Sequence, residues 1–175
     1  IGLEVKLVNW HTGERQLGLE HLAQLHGQDL DLTDRGYASY EWFAAHVRAG
    51  RGFVCRCEAN SFAVVRQLFA ANEAGKSLQV QLRPPAHQVR ALRQAGLPEQ
   101  ITVRFVSLRL PDGSLEVLAT SLLDEAAYPL QSLYELYGAR WGVEGYFEVL
   151  KGRLALENFS GRTVESVRQD TYATV

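Results

Sequence analysis

YGARWGVEGYFEVLK, residues 137–151, is the stretch on which the reading of this chain turns. Wound as a helix at about 100° per residue with Tyr137 at zero, it puts Arg140 near roughly 300°, Glu144 near roughly 340° and Lys151 near roughly 320°. A phenol, a guanidinium, a carboxylate and an ammonium then share one stripe about 60° wide. Leu136, Val143, Phe147, Leu150 and Leu154 fall beside it, an apolar stripe able to dock on a core. The polar stripe borders the buried face. That placement suits a carboxylate holding a metal ion, flanked by an Arg fork and a Lys point charge that grip phosphates. The other reading is a surface helix with an Arg140–Glu144 ion pair at i,i+4. Gly138, Gly142, Gly145 and Gly152 each cost about 1 kcal/mol of helix propensity relative to Ala. Such a helix is held by packing or serves a close backbone approach.

Upstream, the sequence reads as an α/β sheet. LEVKLV (3–8) alternates as a strand, and Leu17, Leu19, Leu22 and Leu25 mark a helix from Glu14 to about His26. DLDLTDRGY (29–37) is a short strand with Asp34 at its C-terminal end. Ser39 or Tyr40 opens a helix to about Ala49, Gly50 and Gly52 close it, and FVCRC follows as a strand. Open α/β sheets place ligands at the C-terminal ends of strands. A strand-ending Asp also starts turns and caps helices, so Asp34 alone leaves both readings open.

Residues 58–129 differ in texture. A helix is predicted over 61–73, a strand over 78–83 and a short helix from His87 to Ala95. ITVRFVSLRL (101–110) and SLEVLATSLL (114–123) bracket Pro111-Asp112-Gly113, a hairpin signal. From Lys76 to Arg109 the six basic residues Lys76, Arg83, Arg90, Arg93, Arg104 and Arg109 outweigh Glu99, giving +5. That segment is either a phosphate-contacting surface or a solvated face. Pro129 precedes a long helix beginning near Leu130.

The whole chain has 175 residues and a net charge of −2, which excludes a wholesale polyanion binder and allows a sizeable core. No 18-residue apolar run is present, so no membrane span is expected. Cys55 and Cys57 fit neither a CxxC motif nor a zinc pair and read as small buried hydrophobes. The five histidines lack metal-ligand spacing. These features predict a reducing, cytoplasmic setting. The absence of methionine predicts an internal fragment of a longer protein.

Y-x2-R-x3-E-x6-K, carried by Tyr137, Arg140, Glu144 and Lys151, resembles the C-terminal signature of the IS4 family of bacterial DDE transposases. The following LALENFSGRTVESV also resembles the family there, and DRGY after a short strand resembles the context of its second catalytic aspartate. The resemblance covers nearly the whole chain. It implies a ribonuclease H-like mixed sheet flanked by helices, with a β-rich insertion before the catalytic helix. Residues 1–59 and 116–175 would form that core and 60–115 the insertion. It implies Asp34 and Glu144 as catalytic carboxylates holding Mg²⁺ or Mn²⁺ within about 8 Å of each other, with Tyr137, Arg140 and Lys151 gripping DNA.

The implied activity is metal-dependent strand cleavage and transfer at transposon ends. The implied partners are double-stranded DNA, both transposon ends and target, and a second copy in the full-length protein. The implied location is the bacterial nucleoid. The family's first aspartate is expected upstream of Ile1, so this stretch alone is not expected to cut DNA. Two other readings stay open: a non-catalytic DNA-binding remnant or domesticated relative, and an α/β domain whose acids are structural. Trp42 and Trp141 are read as core.

Overall fold

The computed structural model describes residues 11–140, 142, 160–161 and 163–174. Two compact units are present, Glu14–Tyr137 on the one hand and Ile1–Gly13 with Gly138–Val175 on the other. The strand expected at 3–8, Glu144 and Lys151 lie outside the described residues.

In the larger unit, α1 (Glu14–His21) runs into a 3₁₀ turn and β1 (Leu30–Thr33) follows. After a second 3₁₀ turn (Arg35–Tyr37) come α2 (Tyr40–Ala49) and β2 (Gly52–Cys57). The Ser39 hydroxyl starts α2 by accepting from the Trp42 N–H, and Gly50 ends it in the left-handed region at φ 63°. Then come α3 (Ala63–Ala71), β3 (Ser77–Leu82), α4 (Val89–Gln94), β4 (Ile101–Arg109), β5 (Leu115–Thr120) and α5 (Leu130–Gly138).

The five strands form one sheet in the order β1-β2-β5-β4-β3. Only β1 and β2 run parallel among them, in register from Leu30↔Gly52 to Thr33↔Cys55. Side-chain alternation then builds a core on each face. Phe53, Cys55, Val103, Phe105, Val117 and Ala119 pack with Trp42 and Phe43 of α2 and Val65 of α3. Val54, Val106, Leu108 and Leu118 pack on the opposite face with Leu133 and Tyr137 of α5. This is the mixed α/β sheet flanked by helices that the sequence predicts, and it is compatible with a ribonuclease H-like fold.

Residues 60–115 contribute α3, β3, α4 and β4, and their two strands continue the main sheet through the antiparallel β4–β5 ladder. The hairpin turns over Pro111–Ser114, closed by the Leu110 N–H on the Ser114 carbonyl at 2.9 Å, with Gly113 at φ 83°. β5 stops earlier than its apolar run suggests. Its last residue, Thr120, donates its hydroxyl to the Phe53 carbonyl at 2.7 Å and accepts from the Leu122 N–H at 3.1 Å, which turns the chain.

The sequence also predicts one helix from Leu130 through Lys151. Instead α5 ends at Gly138, Ala139 and Arg140 form a turn, and the Gly142 N–H donates to the Ala139 carbonyl at 3.1 Å. Gly138 brings no side chain to hold another turn, while the ring of Tyr137 is locked in the core beside Leu133. Apart from Gly142, the rest of that expected helix lies outside the described residues. In the smaller unit, α6 (Val164–Thr174) is capped by Thr163, whose hydroxyl accepts from the Ser166 N–H at 3.2 Å.

Arg104 is the clearest departure from the reading of a basic, solvent-facing segment. It is 1% exposed, donating to the Ser77 hydroxyl at 2.8 Å and to the Tyr128 carbonyl at 2.7 Å. Lys76 pairs with Glu73 and Arg93 with Glu99, so much of that segment's charge is met within the protein.

Candidate functional site

Parallel pairing brings the C-terminal ends of β1 and β2 side by side, and the candidate site lies there. Asp34 follows the last residue of β1 in extended backbone, φ −80° and ψ −178°, and caps the 3₁₀ turn behind it. Its Oδ1 accepts from the Gly36 N–H at 2.8 Å, its carbonyl accepts from the Tyr37 N–H at 3.2 Å, and the Cys55 thiol of β2 lies 3.4 Å from the same carbonyl. The main chain at Asp34 is thus tied both to the turn and to the neighbouring strand. The carboxylate itself is exposed.

It opens on a groove of about 430 Å³ lined by Arg15, Asp34, Arg35, Gly36, Glu58 and Ser61, among others. A neighbouring hollow of about 380 Å³ shares Arg35 and Glu58 and adds Arg56 and Glu116. Two arginines here are matched to acids. Arg35 Nε lies 3.3 Å from Glu58 Oε1, and Arg56 Nε lies 3.0 Å from Glu116 Oε2. Glu116 is buried against the sheet, whereas Arg35 and Glu58 are largely solvated and their pair contributes little to stability. Arg15 reaches in from α1 and directs Nη2 and Nε at the Gly36 carbonyl, at 2.6 and 3.3 Å.

Burial first, then the fields of Glu14, Asp34 and Asp31, hold the Tyr37 phenol above its ordinary value. Burial also pushes the Cys55 thiol up to about 12, with Asp34 and Asp31 adding to it. Cys57 is raised well above the ordinary thiol value, again chiefly by burial. Both cysteines are free and buried, in keeping with their reading as small hydrophobes and not as nucleophiles.

Of the residues the sequence nominates, the structure sets Asp34 at an open groove. Tyr137 is 3% exposed and packs in the core behind the sheet, so its ring is not presented to solvent. Arg140 is half-buried in the turn after α5. Glu144 and Lys151 lie outside the described residues, and with them the expected Asp34–Glu144 separation. Among the described residues no group of three or more His, Cys, Asp and Glu could hold an ion. Asp34 fits a hard cation as one oxygen ligand: its carboxylate is exposed and oriented by a backbone N–H, as ligating carboxylates commonly are.

Arg15, Arg35, Glu58 and Glu116 were not singled out by the sequence. Glu58 had a usable signal, since it follows the strand that a strand–helix–strand unit places parallel to β1. Arg15 had none. Among the described residues, no helix is long and apolar enough to cross a membrane.

The sequence profile described as the transposase DDE domain matches residues 3–174. No curated protein matches the chain.

Proposed function

From the premise that this chain belongs to the transposase DDE domain family, we propose that it is the catalytic region of an IS4-type transposase, acting in metal-dependent cleavage and transfer of DNA strands at transposon ends. The observation that carries this reading is Asp34, an oriented and exposed carboxylate where the parallel strands β1 and β2 end. Asp34 and Glu144 hold the divalent ion, Mg²⁺ or Mn²⁺. Arg140 and Lys151 meet DNA phosphates, and Tyr137 belongs to the same signature, with its ring given first to packing. Residues 1–59 and 116–175 make the ribonuclease H-like core, with 60–115 inserted. The partners are double-stranded DNA at transposon ends and target, and a second copy of the protein.

Domains of this family use divalent metals, which neutralise charge on the phosphate and activate the attacking oxygen in phosphoryl transfer. The protein's part is positioning. The Gly36 N–H orients the Asp34 carboxylate, and the Tyr37 N–H fixes its main chain. Arg35, solvated and paired with Glu58, offers a planar fork to a phosphate entering the groove.

Asp34→Asn and Glu144→Gln in the intact transposase test this reading. Each keeps size and most hydrogen bonds but removes the charge that attracts the ion. Both variants are expected to lose Mg²⁺-dependent cleavage of transposon-end duplexes while retaining duplex binding in gel-shift titrations. Cleavage by Asp34→Asn at the parent rate would overturn the assignment.

A further inference from the structure

We propose that Arg15 is a positioning residue for Asp34, acting through Gly36; this rests on the reading of Asp34 as a metal ligand. Gly36 is gripped at both of its polar groups. Its N–H donates to Asp34 Oδ1 at 2.8 Å, and its carbonyl accepts from Arg15 Nη2 at 2.6 Å and Nε at 3.3 Å. Two donors of one rigid planar group on a single oxygen hold that carbonyl in direction as well as distance.

Among the described residues, little else stiffens the turn that carries Gly36. It is one 3₁₀ turn, closed by the Tyr37 N–H on the Asp34 carbonyl at 3.2 Å and the Ala38 N–H on the Arg35 carbonyl at 3.3 Å. Short 3₁₀ turns have poor hydrogen-bond geometry and little intrinsic stability. The Asp34 main chain is already anchored, so the direction of its carboxylate is set by the Gly36 N–H. The position of Gly36 is in turn set from α1. Space is tight there as well: a Cβ at Gly36 would lie 3.1 Å from Asp34 Oδ1. The φ of Gly36 is not in the left-handed region, so Ala there presses on the carboxylate without straining the backbone.

Outer groups that orient a metal-ligating carboxylate commonly alter metal affinity about 10–100-fold when removed. Arg15 acts at one remove and on an exposed group, so about tenfold is expected for Arg15→Ala. Arg15→Lys keeps one donor and should recover part of the loss. Gly36→Ala should weaken binding in the same direction from the other side.

The experiment is calorimetric titration of the protein and the four variants Arg15→Ala, Arg15→Lys, Gly36→Ala and Asp34→Asn with Mn²⁺ alone, beside thermal unfolding without metal. The proposal expects Mn²⁺ affinity to fall for Arg15→Ala and Gly36→Ala and to return partly for Arg15→Lys. Asp34→Asn should lose the site. If Asp34→Asn loses it while Arg15→Ala lowers only the unfolding temperature, Arg15 merely ties α1 to the turn and the positioning role is overturned. If Asp34→Asn binds Mn²⁺ like the parent, the metal-ligand reading of Asp34 fails, and the role of Arg15 with it.

Discussion

His46 Nε2 lies 3.1 Å from Asp31 Oδ2, between α2 and β1, while His46 Nδ1 lies 2.9 Å from the Trp42 carbonyl. A carbonyl only accepts, so Nδ1 carries a proton and donates it. Nε2 faces the carboxylate of the strand beneath it. The ring is fully buried, between Trp42 and Phe53 at centroid distances of 4.6 and 5.5 Å. This pair fastens the strand that ends at Asp34 to the helix that covers it.

Removing one partner leaves the other poorly matched in a buried layer. His46→Leu should destabilise the fold by about 3 kcal/mol, and the double variant with Asp31→Leu should recover part of that. Urea unfolding of the two single variants and the double variant gives the coupling. A purely additive double variant would show that the contact holds nothing.

Arg104 is expected to behave as a structural cation. Its guanidinium solvates the carbonyls of Tyr128 and Leu122, at 2.7 and 3.4 Å, in the connection between β5 and α5. Arg104→Met fills similar space without donors and should cost about 2–4 kcal/mol, since it strands buried acceptors. Amide exchange should quicken first over residues 121–129. Unchanged stability together with weakened DNA binding would return Arg104 to the role of phosphate contact.

The β4–β5 turn should confer a pH dependence. The Ser114 hydroxyl and the Ser114 N–H both donate to Asp112 Oδ1, at 2.6 and 2.9 Å, and the hydroxyl bond does most to hold this carboxyl below its ordinary value of 3.8. A depressed folded value means stability that is present above the unfolded value and lost as pH falls through the folded one. Asp112→Asn should therefore flatten the acid limb of the stability curve below about pH 4 by lowering neutral stability slightly toward the acid value. Denaturant midpoints collected from pH 2 to 7 would check it.

Cys55 and Cys57 should be silent thiols. Burial keeps both protonated at neutral pH, Cys55 to about 12. A disulfide-exchange reagent at pH 8 should label neither in native protein and both in denaturant. Rapid native labelling would mean that β2 opens on the timescale of the reaction.

The β1–α2–β2 unit was legible because each boundary has a local cause. Ser39 caps α2, Gly50 takes the left-handed region, and alternation marks the strands. Asp34 was legible for the same reason, as the residue that ends a short strand. Arg15 was not, because a side chain that reaches 21 residues along the chain to one carbonyl leaves no periodic trace. Arg104 was misread because charge was summed along the segment. Its place inside the apolar run ITVRFVSLRL was the better guide, since that strand is buried on both faces. The end of α5 at Gly138 escaped because the spacing of Tyr137, Arg140 and Glu144 continues helical periodicity across a glycine that lets the chain turn.

The strand order also carries a consequence for how this chain is made. β2 lies between β1 and β5, and its antiparallel ladder with β5 runs from Val54↔Thr120 to Cys57↔Val117. During synthesis β1, α2 and β2 leave the ribosome first, and the inner edge of β2 stays unpaired until residues 58–114 have followed. Such distant pairing slows folding and exposes an apolar strand edge meanwhile. The nascent chain is therefore most open to misassociation between the emergence of FVCRC and that of LEVLAT, and truncation anywhere in that interval should yield protein that aggregates.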